Sequence, residues 1–162
     1  MCEIWLRKVV PAKATPTQVN GVAFGQLEDG TLMAAVRFLR DTTDYRKQKV
    51  KPGVFTLRYA LHPVDGNHLG ISPQRDFLAM VPAALDSGIA PVAYKDLMDL
   101  SRKAAGAGHP CLWSLTEAAG TDLPTVVHIE EEDFWVVSFK IQLEGGASLA
   151  IGLVVVGHPA EA

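Results

Sequence analysis

No apolar run in this chain is long enough to cross a bilayer. The longest, residues 149–156, has the length of a strand, against the ~20 residues a spanning helix needs. A basic surplus is also missing. Lys and Arg number 15 against 18 Asp and Glu, the net charge is −3 and the pI about 5.9, so nothing argues for a nucleic-acid partner. Cysteine is scarce: Cys2 and Cys111 are too few for a disulfide framework. One bridge between them and two free thiols fit the sequence equally. Residues 1–10 carry charge and lack the apolar core of a signal peptide. There is no internal repeat, no low-complexity tract and no linker. Gly-x-Ser-x-Gly, His-Glu-x-x-His and the EF-hand spacing are all absent. No motif fixes a reaction.

What is present suits one globular domain over residues 1–162. The length of 162 residues allows a sizeable core, and 48% hydrophobic with 20% charged residues is ordinary for such a domain. Period-two alternation, the mark of a half-buried strand, recurs along the chain. Phe55, Leu57, Tyr59 and Leu61 fall on one face, with Val54, Thr56, Arg58 and Ala60 on the other. Further strands are expected near residues 3–9, 21–27, 31–39, 77–81, 111–115 and 124–129. Glu28-Asp29-Gly30 predicts a hairpin turn between two of them. Residues 134–143 and 149–156 flank Gly145-Gly146 and form a C-terminal hairpin, with Trp135, Val137, Phe139, Ile141 and Leu143 on its core face. One stretch has helical spacing, residues 94–105, followed by Gly106 where a helix ends. Strands with a single helix predict an all-β fold: an antiparallel, jelly-roll-like β-sandwich with one short helix.

The candidate site is the polar excursion between residues 62 and 76. Structureless loops of this length inside a compact domain are uncommon and often functional. Asp65, Asn67, His68, Arg75 and Asp76 are the expected ligand-binding residues. The guanidinium of Arg75 is a bidentate donor suited to a carboxylate, although an Arg75–Asp76 pair would equally lock the loop to the sheet. His62, His68 and Asp65, with His109 beyond the helix, have side chains that suit zinc, copper or iron. The plainer reading has Asp65 and Asn67 capping turns. His109 and Cys111, two residues apart, could share a strand face and activate the thiol. A buried, inert Cys111 is the commoner outcome. The acidic run of residues 130–133 reads as a solvated turn rather than a calcium site. The basic run of residues 46–51 could bind an anion, although a solvated edge strand is the commoner reading. Trp5 and Trp113 are candidates for an aromatic platform, while the pattern places Trp135 in the core.

Several segments resemble those of a family of small bacterial proteins of unknown function. They are Ile4-Trp5-Leu6-Arg7-Lys8, Lys51-Pro52-Gly53-Val54-Phe55-Thr56-Leu57-Arg58-Tyr59, Asp65-Gly66-Asn67-His68-Leu69-Gly70, Arg75-Asp76-Phe77-Leu78 and Gly152-Leu153-Val154-Val155-Val156-Gly157. The resemblance implies a β-sandwich and a periplasmic or extracellular setting, and it supplies no catalytic residue. The leading expectation is a binding or interaction module for a small molecule or a protein, using the loop at 62–76. The alternatives are a metal-dependent hydrolase or oxidase, and a structural protein that self-associates through a sheet edge.

Overall fold

The computed structural model describes residues 2–64, 72, 74–106 and 108–157. Among them the strands are β1 (Cys2–Leu6), β2 (Leu32–Phe38), β3 (Thr42–Thr43), β4 (Lys49–Val50), β5 (Gly53–Leu61), β6 (Asp76–Pro82), β7 (Leu112–Thr116), β8 (Thr125–Ile129), β9 (Phe134–Gln142) and β10 (Ser148–Val156). Among the same residues a single α-helix, α1 (Tyr94–Ala105), lies between β6 and β7. The all-β class with one short helix is therefore present. Eight strands pair in the order β1-β2-β5-β6-β7-β10-β9-β8, every pair antiparallel, and β3-β4 make a separate ribbon. The first five strands of the order meander. The last four form one Greek key, since β10 returns to lie beside β7.

β7 is the corner of the sheet. Leu112, Trp113 and Ser114 pair with β6, whereas Leu115 and Thr116 pair with β10. A strand that changes partner midway lets a sheet fold over on itself. Gly152 permits it: a Cβ there would stand 2.5 Å from the Glu117 carbonyl oxygen. The curl brings together strands far apart in the order. Ile4 and Leu6 of β1 line one small apolar cavity with Phe139 and Ile141 of β9 and Ile151 and Leu153 of β10. Val10, just past β1, exchanges backbone hydrogen bonds with Gln142 and Glu144.

Two cores result, one on each face. The concave face buries Val36, Leu57, Tyr59, Met80, Trp113, Leu115 and Leu153. The convex face buries Ala60, Phe77, Ala79 and Val81 under Leu97 and Met98 of α1. β5 is consequently buried on both sides, although its alternation predicts a single core face. The second face includes Arg58, which has no exposed surface. It is covered by residues 83–92, whose carbonyls and Asp86 receive the guanidinium.

Two expectations need correction. Residues 21–27 form no strand; β2 pairs with β5 instead, and the 21–27 segment folds over the core with Phe24 and Leu27 buried. The carboxylate of Asp76 claims the Ala23 and Phe24 amides at 2.8 and 3.1 Å, so those donors cannot serve a ladder. Trp135 is 43% exposed while Trp113 is 2% exposed, reversing their expected places: the concave face runs beyond its cover at Trp135. Of the two readings open for the cysteines, the free one is present in both Cys2 and Cys111.

Candidate functional site

The two ends of the expected site loop are firmly tied. His62 and Arg75 exchange a backbone hydrogen bond of 2.8 Å, and Arg75 Nε donates back to the His62 carbonyl at 2.9 Å. The His62 ring is buried and stacks on Phe77 with centroids 4.4 Å apart. Ser72 and Ser114 share a hydroxyl–hydroxyl hydrogen bond that pins the loop to β7. Arg75 and Asp76 do not pair with each other. Asp76 has no exposed surface, and beyond its two amide donors it accepts from the Tyr59 hydroxyl at 2.6 Å. Burial, then this hydrogen bond and the Asp76 charge, push the Tyr59 phenol far above its usual range. Asp76 is thus an internal anchor. Asp65, Asn67 and His68 lie outside the described residues.

His109, by contrast, is exposed beside Pro63, the first residues of the loop and of the post-helical turn meeting at one open groove. The groove encloses about 440 Å³, within the range of small-ligand sites. Arg46, from the turn between β3 and β4, forms part of its wall. Lys95, Asp99 and Arg102, spaced to share one face of α1, form another, with Tyr94 and the buried Met98. Among the described residues three cations and one carboxylate therefore line the groove. Asp99 is held by Arg102 Nη1, whose Nε also reaches the Gly108 carbonyl at 3.3 Å. Among the described residues neither Arg46 nor Lys95 makes an ion pair.

The walls are fixed by residues that sequence pattern did not single out. Asp44 is 3% exposed. One carboxylate oxygen accepts from the Arg46 and Gln48 amides at 2.9 and 2.8 Å; the other accepts from Gln48 Nε2 at 2.8 Å and the Leu112 amide at 3.2 Å. Gln48 Nε2 also donates to the Pro110 carbonyl at 3.0 Å. The turn that carries Arg46 is thereby fastened to the strand that follows His109. On the far side Ser101 of α1 donates to the Cys111 carbonyl at 2.7 Å and accepts from its amide at 3.0 Å. The signal for Asp44 was an Asp two residues before an Arg in a short polar loop, the spacing of a side chain that bonds its own turn. Nothing local identifies Ser101, because its partner is ten residues away.

Cys111 is fully buried, as its commoner reading had it, and His109 is exposed, so the alternative Cys–His pairing does not assemble. Burial, reinforced by the nearby Asp44 carboxylate, pushes the thiol well above its ordinary value, the opposite of an activated nucleophile. Among the described residues no three His, Cys, Asp or Glu side chains converge as metal ligands; two of the four expected ligands, His68 and Asp65, are not among those residues. No protein-family model, curated protein or solved structure matches the chain. No helix among the described residues is long and apolar enough to cross a membrane.

Proposed function

We propose that this protein is a non-catalytic binding module whose groove beside α1 takes a small anionic ligand, a carboxylate or phosphate. The observation that carries the reading is the pair of cations, Arg46 and Lys95, facing one groove with no carboxylate partner among the described residues. A guanidinium and an ammonium converging on a concave surface attract anions and give them strong, charge-assisted hydrogen bonds. Asp99 sets the limit on charge by occupying one edge of Arg102. The rigid fastening of Arg46 through Asp44 supports the same reading, since a receptor ordered beforehand loses less entropy on binding.

Titration calorimetry with inorganic phosphate and with citrate tests this. One of the two is expected to bind saturably at low salt, and the Arg46→Ala/Lys95→Ala variant to bind at least tenfold more weakly with an unaltered melting temperature. Absence of saturable binding to both anions, or wild-type affinity in the variant, would overturn the reading.

A further inference from the structure

We propose that the open edge of β8 accepts an extended, basic segment of a partner protein as a ninth strand of the sheet. Among the described residues β8 is last in the strand order and pairs with β9 alone. Among the described residues, no backbone hydrogen bond reaches its other side. A strand so placed presents a row of donors and acceptors, and proteins ordinarily blunt such rows with charges, bulges or covering segments. β8 carries no charge and no bulge, and the close packing of Gly120 on Thr125 and Val127 lies against their side chains. Its five residues, Thr125-Val126-Val127-His128-Ile129, include no Lys, Arg, Asp or Glu, and its register against β9 runs without a bulge. The other end of the sheet differs, for β1 carries Glu3, which is paired with Arg37 at 3.6 Å.

The surface beside this edge defines the partner. Val126 is 58% exposed and Trp135 is 43% exposed on the adjoining strand. His128 stacks on Trp135 with centroids 4.7 Å apart and is held there by Asp133 at 2.8 Å. An added strand would set alternate apolar side chains against this apolar strip. Directly after β8 come Glu130, Glu131 and Glu132, all exposed and without an ion pair among the described residues. Lysines or arginines at one end of the incoming strand would meet them. A second copy of β8 is the poorer occupant. In an antiparallel pair the acidic turn after each β8, residues 130–133, would lie at the end where the other copy carries Asp122 and no Lys or Arg, so nothing would neutralise it.

The test uses a fluorescent nine-residue peptide of alternating valine and lysine, with its valine–glutamate analogue as control. The basic peptide is expected to bind in a salt-sensitive manner and to slow amide hydrogen exchange at residues 125–129. Val126→Lys and the double variant Glu130→Lys/Glu131→Lys should each weaken it at least tenfold. Both change exposed side chains, and matching melting curves confirm the fold. Equal affinity for the two peptides, no binding of the basic peptide, or binding without protection of the β8 amides would overturn the proposal. So would sedimentation showing a dimer whose β8 amides are protected without peptide, which assigns the edge to a second copy.

Discussion

Arg58 has five N–H donors, and each has an acceptor. Nε and one Nη2 hydrogen go to the two oxygens of Asp86 at 2.7 Å, the second Nη2 hydrogen to the Gly88 carbonyl, and Nη1 to the carbonyls of Gly30 and Ala90 at 2.7 and 2.9 Å. Removing one member of such a pair strands a buried charge. Asp86→Asn should therefore cost about 3–5 kcal/mol in urea unfolding. Burial by itself raises the Asp86 pKa, but hydrogen bonds from Arg58 and Thr56 and the Arg58 charge outweigh it and leave the carboxyl below its ordinary value. A depressed carboxyl stabilises the fold above its unfolded pKa of about 3.9 and ceases to do so as pH falls through the lower folded value. Wild-type melting temperature should thus fall steeply below about pH 4, and Asp86→Asn should fall less over the same interval. Tyr59→Phe removes the shortest bond to Asp76 and should cost about 1.5–3 kcal/mol, the worth of a hydrogen bond to a charged group. The alternation of residues 54–61 made Tyr59 legible as core. It gave no sign that Arg58 was buried, because all but one of its acceptors lie in residues 83–92, which have no periodic pattern of their own.

At the scale of elements, the long strands and the helix were readable. The hairpin of β9 and β10 and the limits of α1 follow from alternation, from Gly145-Gly146 and from Gly106, which adopts φ 63° after the last helical turn. The glycines also make a graded prediction. Gly106→Ala meets no atom within 4 Å, so its cost is the left-handed backbone penalty of about 1–2 kcal/mol. Gly152→Ala drives a methyl into the Glu117 carbonyl, with Thr116 and Val136 at 2.9 Å behind it. It should lower the urea midpoint by clearly more than Gly106→Ala; an equal effect would show that β7 does not need this close approach. What periodicity could not reveal was where each face ends. Trp135 and Phe139 share a face in the pattern, yet only Phe139 lies beneath opposing strands. Burial at the rim depends on how far the sheet curls, which no single strand records. The 21–27 segment escaped for a different reason: its backbone donors were claimed by Asp76, which lies 52 residues from Phe24 in sequence.

For the whole molecule, the groove draws on a ribbon turn, the start of the loop after β5, one face of α1 and the turn beyond it. The sequence pointed to His109, to the loop entrance and, as a basic run able to bind an anion, to residues 46–51; it did not bring Arg46 to the helix, because that placement depends on bonds spanning 62 and 68 residues. Ligand that binds only the folded state raises stability, by about 2.7 kcal/mol at a hundredfold excess over Kd. Phosphate or citrate, whichever binds, should accordingly raise the melting temperature of the wild type but not of Arg46→Ala/Lys95→Ala. Asp44 gives this coupling a route. Its one carboxylate suspends the Arg46 turn and grips the first amide of the strand where the sheet folds over. A ligand engaging the Arg46 side chain is therefore expected to shift the Leu112 amide resonance as well, and a spectroscopist watching only that amide could count how many copies of the protein are occupied.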